Sequence, residues 1–184
     1  MFPENFRNEV QVVNTVLSVE QDNSPELTAM FGSSLATSIS EVPFDGPIAG
    51  VKVGHVDGNF IINPTPEELE KSDLDLTVAG TKEAINMVEA GASEVSEAEM
   101  HKALVFGHQN IIELCKFQLE IAAQCGKEKV KPLLFVTDKE IDSEVRAYAE
   151  EDLVKAIRIE DKLLRYQAID EVNARTLEEF GKKV

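Results

Sequence analysis

The sequence contains no tryptophan and only two cysteines, and aromatic residues make up 6% of its 184 residues. Cys115 and Cys125 lie ten residues apart outside any CxxC pair, which indicates free thiols and a reducing, cytoplasmic setting. No apolar run approaches the roughly 20 residues of a membrane-spanning helix. The amino terminus lacks the basic and apolar regions of a signal peptide. We therefore expect no membrane partner.

Basic residues are also scarce. The chain has 18 Lys and Arg against 34 Asp and Glu, and its formal net charge is −16. This balance excludes a broadly basic surface that coats nucleic acid, although it allows a local site built from backbone amides or helix ends. Because 43% of the residues are hydrophobic, the chain can form a packed core.

Two regions of different character follow one another. The first mixes strand and helix patterns and holds nine of the ten glycines, whereas residues 138–184 have one glycine, no proline and only helical patterns. A Gly, mixed charges and a Pro separate the two regions. We therefore expect an α+β layer over residues 1–126, a linker over 127–137 and an all-helical module over 138–184.

Hydrophobic patterns predict the elements of the α+β layer. A β-branched run that is apolar on both faces predicts a strand over Glu9–Glu20, and Pro25 begins a helix of small residues. Asp57-Gly58 is a hairpin signal between two short apolar runs. The further predicted strands are Ile48–Val56, Asn59–Ile62, Leu74–Gly80 and Ala84–Glu89.

Capping boxes predict where three further helices begin. The second of these helices is long and amphipathic, and it extends to about Gln124. The third begins the all-helical module. The three boxes are Thr65-Pro66-Glu67-Glu68, Ser96-x-x-Glu99 and Thr137-x-x-Glu140.

Three carboxylates, Glu67, Asp73 and Asp75, are candidates for a metal site. Residues two apart in a strand face the same side, so Asp73 and Asp75 would share one face. A divalent cation such as Mg²⁺ relieves the repulsion between neighbouring carboxylates. The alternative, which the spacing alone favours, is the solvated face of an edge strand.

Four basic residues in the helical module are candidates for RNA contacts. Their spacings of three and four residues place them on one face of a continuous helix. Acidic residues are interleaved with them, so an ordinary salt-bridged surface is the favoured alternative. The four residues are Lys155, Arg158, Lys162 and Arg165.

Several motifs follow one another in an order that resembles the polynucleotide phosphorylase family, also called polyribonucleotide nucleotidyltransferases. The resemblance implies a partial RNase PH-like (ribosomal protein S5 domain 2-like) layer, the second half of the family's first core. An all-helical linker domain would follow it. The motifs are Phe2-Pro3-x-x-Phe6-Arg7-Asn8-Glu9-Val10-Gln11-Val12, Gly46-Pro47-Ile48-Ala49, Val53-Gly54, Asn63-Pro64-Thr65, Asp75-Leu76-x-Val78-Ala79-Gly80-Thr81 and Phe106-Gly107-His108.

The resemblance also implies an activity, namely reversible phosphorolysis of RNA in the 3′-to-5′ direction. The reaction would use inorganic phosphate and Mg²⁺ in a homotrimer. In the family's active core, a serine-rich loop holds phosphate; here Asn23-Ser24-Pro25-Glu26 takes its place, with fewer serines and an added acid. Glu67 and Asp73 occupy the positions of two family aspartates. We therefore expect no catalytic residue here, but a silent scaffold and channel wall. The alternative is a helical module that binds RNA or a partner without catalysis.

Overall fold

The computed structural model describes residues 1–182. The chain divides into two compact units, Met1–Leu134 and the residues from Phe135 onward. The first unit combines a sheet with helices and the second is helical, so the predicted α+β layer followed by a helical part is confirmed. The boundary between the two units lies inside the stretch predicted as a linker.

The first unit contains one four-stranded antiparallel sheet with the strand order β2-β1-β3-β4. The turn between β1 and β2 has positive φ angles of 50° at Asp57 and 77° at Gly58, a backbone that this two-residue hairpin requires. The predicted bounds of β2 and β3 agree with the structure. The elements are α1 (Pro25–Ile39), β1 (Ala49–Val56), β2 (Asn59–Ile62), α2 (Pro66–Leu69), β3 (Leu74–Gly80), β4 (Ile85–Ala92), α3 (Glu97–Cys125), α4 (Lys139–Ile157) and α5 (Lys162–Phe180).

Helix α3 covers one face of the sheet and completes the core. Val51 pairs with Val78 across β1 and β3, so both side chains point to the face that α3 covers. Gly107 allows the close approach of the helix, because a Cβ there would lie 3.1 Å from a methyl carbon of Val53. The core residues are Ala49, Val51, Val53, Leu74, Leu76, Val78, Ala103, Ile111 and Cys115.

Two buried polar side chains hold the chain where it enters β1. The Ser34 hydroxyl of α1 accepts the backbone N–H of Ile48 at 2.9 Å, and the Gln118 side-chain amide of α3 donates to the Ile48 carbonyl at 2.9 Å. Ser34 is 3% exposed and Gln118 is fully buried. These bonds satisfy both backbone groups of Ile48, so α1 and α3 together determine where β1 begins.

The strand predicted over Glu9–Glu20 is wrong. Within the described part of the chain, residues 9–20 lie in no strand, and all of them are exposed. Leu17, for example, is 92% exposed. A β-branched sequence becomes a strand only beside a hydrogen-bonded neighbour, and none of β1 to β4 pairs with these residues.

Helices α4 and α5 form an antiparallel hairpin in the second unit. The Tyr148 ring near the middle of α4 contacts the Phe180 ring at the end of α5, with centroids 5.4 Å apart. One turn later in α4, Asp152 forms an ion pair with Arg175, which precedes Phe180 in α5. The later residue of α4 thus contacts the earlier residue of α5, which shows that the two helices run antiparallel.

The predicted capping box at Thr137 is wrong by one residue. Helix α4 begins after Asp138, whose carboxylate accepts the backbone N–H groups of Glu140 at 2.8 Å and Ile141 at 3.2 Å. A charged acceptor at the N-cap makes stronger bonds with these amides than a threonine hydroxyl does.

Lys129, in the stretch predicted as a linker, binds the carboxyl end of α1. Its ammonium group donates to the carbonyl oxygens of Thr37, Ser38 and Ser40 at 2.7–2.9 Å. These carbonyls lie where the helix dipole concentrates negative charge. The backbone N–H of Lys127 adds a bond to the Ile39 carbonyl at 2.9 Å. Residues 127–129 are therefore packed against the end of α1, within the first unit.

Replacing Lys129 with Met should lower the free energy of unfolding of the first unit by about 1 to 2 kcal/mol, because three carbonyl bonds and a favourable dipole contact are lost. Urea denaturation followed through the amide NMR signals of β1 measures this unit alone. Lys127→Met is the matched control, because the side chain of Lys127 is exposed, and it should change the value by less than about 0.5 kcal/mol. Equal stabilities of the two variants would contradict the expectation.

Candidate functional site

The start of α1 is the region to which the sequence motifs point. Residues 19–25 line a shallow cleft of about 170 Å³ together with Lys52 of β1 and with Pro64, Pro66 and Leu69 around α2. The structure therefore brings the loop before α1 beside β1 and the beginning of α2. Two of the predicted site segments, the Asn23–Glu26 loop and the start of α2, meet here.

A carboxylate of the chain itself occupies the amino-terminal end of α1. The Ser24 hydroxyl donates to the Glu26 carboxylate at 2.6 Å, and Ser24 is also the N-cap residue of the helix. Three causes lower the pKa of Glu26. In order of decreasing size, they are this hydrogen bond, a hydrogen bond from the backbone N–H of Glu26 itself, and the nearby Lys52 charge. Glu26 is thus ionised at neutral pH, and its negative charge stands where free amides would otherwise attract an anion.

Asp75 is held by a basic neighbour on the adjacent strand. Lys52 of β1 lies 3.0 Å from the Asp75 carboxylate of β3. Both residues alternate with core residues, so their side chains lie on the sheet face opposite α3. The Asp75 carboxylate is half exposed, and its negative charge is balanced by the Lys52 ammonium.

Asp73 has a different partner. It precedes β3, and its carboxylate lies 2.8 Å from the Nδ1 atom of His55. The His55 ring also contacts Phe60, which in turn contacts Phe106 of α3. Asp73 therefore binds a residue on the α3 side of the sheet, whereas Asp75 binds Lys52 on the other side. The predicted shared face for the two aspartates is wrong because Asp73 lies outside the regular strand.

The three carboxylates do not form a metal site in this geometry. Glu67 is exposed in the first turn of α2, and Asp73 and Asp75 pair with separate basic residues. Among residues 1–182, no group of three or more His, Cys, Asp and Glu side chains could hold a metal ion. In this arrangement the three carboxylates thus do not fit Mg²⁺.

The four basic residues of the helical unit do not share one helix face. Helix α4 ends at Ile157, Arg158 caps it, and Lys162 begins α5. The Arg165 guanidinium folds back to donate to the carbonyls of Ile159 and Glu160 at 2.7 and 3.0 Å. The continuous stripe predicted from spacing is wrong because the chain breaks its helix between the second and third residues.

Lys155, the remaining member of that set, is neutralised locally. Its ammonium lies 2.7 Å from Glu151 and 3.4 Å from Asp152. Hydrogen bonding to Glu151, followed by the charge of that carboxylate, raises the pKa of Lys155. Lys155 therefore belongs to an ordinary salt-bridged surface, which was the alternative to an RNA contact that the sequence favoured.

The partners of the two aspartates were not identified from sequence. Lys52 is the charged residue in the otherwise apolar run of β1, and His55 follows three positions later at the strand end. An isolated charge in an apolar run is a usable signal of a site residue. The Asp75 partner of Lys52 becomes apparent only when β1 and β3 are paired in the sheet. Sequence spacing carries no information on that pairing.

Sequence comparisons connect the chain to exoribonucleases. The family described as "3' exoribonuclease family, domain 2" matches residues 46–110. The polyribonucleotide nucleotidyltransferase of Brevibacillus brevis is 56% identical over 183 residues, which cover 100% of this chain and 26% of the relative. That of Bacillus subtilis is 56% identical over 180 residues, covering 98% of this chain and 26% of the relative. The chain spans about a quarter of the length of these relatives, and the predicted family resemblance is confirmed.

A solved structure supports the fold. The crystal structure of rice (Oryza sativa) Rrp46 matches with a TM-score of 0.50 at 14% identity, covering 57% of this chain and 51% of that chain. At this identity the match concerns the fold alone, and with the family match it confirms the predicted RNase PH-like layer. In the described part of the chain, the helices are too short or too polar to cross a membrane.

The Ser24→Ala variant should raise the pKa of Glu26 toward its ordinary value, because the hydroxyl is the largest cause of the lowered pKa. A carboxyl group whose pKa is lower in the folded than in the unfolded state stabilises the fold at pH values above the unfolded-state pKa. That contribution disappears as the pH falls through the folded-state pKa. Carbon-13 NMR titration of Glu26 measures the change, with the exposed Ser18→Ala as control. An unchanged Glu26 pKa in the Ser24 variant would show that the hydroxyl is not responsible.

Proposed function

We propose that this chain, which corresponds to about a quarter of a polyribonucleotide nucleotidyltransferase, belongs to a phosphorolytic 3′-to-5′ exoribonuclease. The whole protein would use inorganic phosphate to cleave RNA from its 3′ end, release nucleoside diphosphates and catalyse the reverse polymerisation. Relatives of that name align with the entire chain at 56% identity, and the exoribonuclease family match covers the sheet and the first part of α3.

Within such an enzyme, we propose that this chain is catalytically silent. One observation carries this proposal: the Glu26 carboxylate occupies the start of α1, held there by the Ser24 hydroxyl at 2.6 Å. Phosphorolysis requires phosphate as the attacking nucleophile. A fixed negative charge at the expected phosphate position repels it, and Asp22 lies in the same loop. The chain would serve as a scaffold and as a wall of the RNA channel in a homotrimer.

The geometry gives less support to a separate RNA-binding role for the helical unit. Lys155 is paired with acidic residues, and Arg165 is bonded to backbone carbonyls. With a net charge of −16, the chain also repels the phosphate backbone of RNA at long range. The main RNA contacts of the whole protein are therefore proposed for parts outside this chain.

The implied Mg²⁺ requirement is proposed for the whole protein only, since Asp75 and Asp73 of this chain are engaged with Lys52 and His55. A cytoplasmic location is proposed on a different ground. The two cysteines, one buried and one exposed, are both free thiols, which is typical of a reducing compartment.

Phosphorolysis of poly(A) tests the silent role. The 184-residue chain, shown to be folded by circular dichroism, should release no nucleoside diphosphate in the presence of phosphate and Mg²⁺. The full-length Bacillus subtilis relative, assayed in parallel, serves as the positive control. Phosphate-dependent release by the chain itself would overturn the proposal.

Phosphate binding provides a second readout that does not depend on activity. Amide NMR signals of Leu27 and Thr28, in the first turn of α1, should not shift when phosphate is added to the native chain, because Glu26 repels the anion. Shifts at these two amides, saturating with phosphate concentration, would show that the loop is a working phosphate site. The same titration of the Glu26→Gln variant shows whether the Glu26 carboxylate is what keeps phosphate away. The Glu4→Gln variant, which removes a distant exposed charge, controls for its change in net charge.

A further inference from the structure

Asp73 lies at a junction where three strands of the sheet begin or end. Its backbone N–H donates at 3.2 Å to the carbonyl of His55, near the end of β1. Its backbone carbonyl accepts the N–H of Ser93, the residue just after β4, at 2.9 Å. Leu74, the next residue in the chain, begins β3. The backbone of Asp73 therefore joins neighbouring ends of β1, β3 and β4.

The Ser72 hydroxyl adds two bonds to the same junction. It accepts the backbone N–H of His55 at 2.7 Å and donates to the carbonyl of Leu74 at 2.6 Å. These bonds lie just beyond Gly54 and Asp75, the last residues that pair between the two strands. One side chain thus connects the backbones of β1 and β3 where their regular pairing stops.

The side chains of Asp73 and His55 complete the junction. The Asp73 carboxylate accepts the Nδ1–H of His55 at 2.8 Å, since a carboxylate oxygen is an acceptor. The His55 side chain is 14% exposed, and its ring contacts Phe60 of β2. Because this packing restricts the ring, the hydrogen bond costs little additional side-chain entropy.

This arrangement differs from the one that a metal ligand needs. A carboxylate that holds Mg²⁺ directs an oxygen toward a point that it shares with other oxygen ligands. Asp73 instead binds His55 on the α3 side of the sheet, whereas Asp75 binds Lys52 on the opposite side. Asp73, at the position of a family aspartate, is therefore engaged within the sheet itself.

We propose that Asp73 is a structural residue of this chain, which with Ser72 and His55 fastens the end of β1 to the start of β3, and that it ligates no metal ion. This inference rests on the silent role proposed above, because a working metal site would need the same carboxylate. It goes further by giving that carboxylate a different role, the closure of one end of the sheet.

The two roles predict opposite effects when the carboxylate is removed. Neighbouring carboxylates of an empty metal site repel one another, so removing one of them raises the stability of the fold. In a structural pair, removing the carboxylate leaves the His55 N–H without its acceptor, so the stability falls. The direction of the change therefore distinguishes a metal ligand from a structural residue.

Urea denaturation of the full chain, followed through the amide NMR signals of β1, tests the proposal. Asp73→Ala should raise the unfolding equilibrium constant of the first unit by about threefold to tenfold, since one partly exposed hydrogen bond is lost. Glu67→Ala is the matched control, because it removes a carboxylate of the predicted metal set that lies outside the junction. It should change the constant by less than about twofold. In a His55→Ala background, Asp73→Ala should have almost no effect.

Binding of Mn²⁺ gives a readout that needs no substitution, because Mn²⁺ and Mg²⁺ favour the same oxygen ligands. Added to the native chain, this paramagnetic ion should broaden the amide signals of Asp73 and Asp75 no more than those of Glu178 and Glu179. These two glutamates are exposed in α5 and report the general attraction of a cation to an acidic chain.

Three outcomes would overturn the proposal. The Asp73→Ala variant could have unchanged or increased stability, or its effect could be the same with and without His55. Alternatively, Mn²⁺ could selectively broaden the signals of Asp73 and Asp75, which would show a working metal site. None of these measurements detects phosphorolysis, so a failure of the structural role of Asp73 is distinguishable from a failure of the silent role.

Discussion

The packing of α3 against the two central strands is the contact on which the rest of the first unit depends. Gly107 brings the helix close enough for Val51, Val53 and Val78 to lie within reach of its backbone. The same helix supplies Gln118, which holds the Ile48 carbonyl at the entrance to β1. One helix therefore both covers the core and sets the position of its central strand. On the opposite face of the sheet, the same pairing of β1 with β3 brings Lys52 to Asp75 as a diagonal neighbour.

Electrostatic pairing within the chain engages the side chains of the candidate site with one another. Lys52, His55 and the Ser24 hydroxyl each contact a carboxylate of the candidate site, namely Asp75, Asp73 and Glu26 respectively. In a catalytic site, groups of this kind would be directed toward substrate or metal. In this chain these groups bond to one another instead. Each of the three carboxylates has a neighbouring side chain that balances its charge or forms a hydrogen bond with it. The similarity of sequence is thus compatible with the loss of a phosphate site.

Apart from the capping box at Thr137, the signals that act locally predicted their elements correctly. Hairpin residues Asp57-Gly58, the capping box at Thr65 and the apolar alternation of Leu74–Gly80 each act through near neighbours, and each has its expected structure. Predictions that needed a distant partner were wrong. The Glu9–Glu20 run has strand composition but no neighbouring strand in the described chain.

The candidate site shows the same limit. The loop before α1 and the carboxylates could be named from motifs, but their partners could not, because the pairing of β1 with β3 joins residues 23 positions apart. The stripe from Lys155 to Arg165 assumed one continuous helix. Nothing as strong as a proline or glycine marks the break near Arg158, where an aspartate N-cap begins α5 instead.

The Lys129 contact also has a consequence for the order of folding events. It joins residues 92 positions apart in the sequence, so the intervening chain must already be confined before the ammonium can reach the carbonyls of α1. A contact with so long a loop is expected after α1 and α3 have docked on the sheet. Interactions that form after the rate-limiting step of folding slow unfolding and leave the folding rate almost unchanged. The Lys129 contact is thus expected to slow unfolding of the first unit more than it speeds folding.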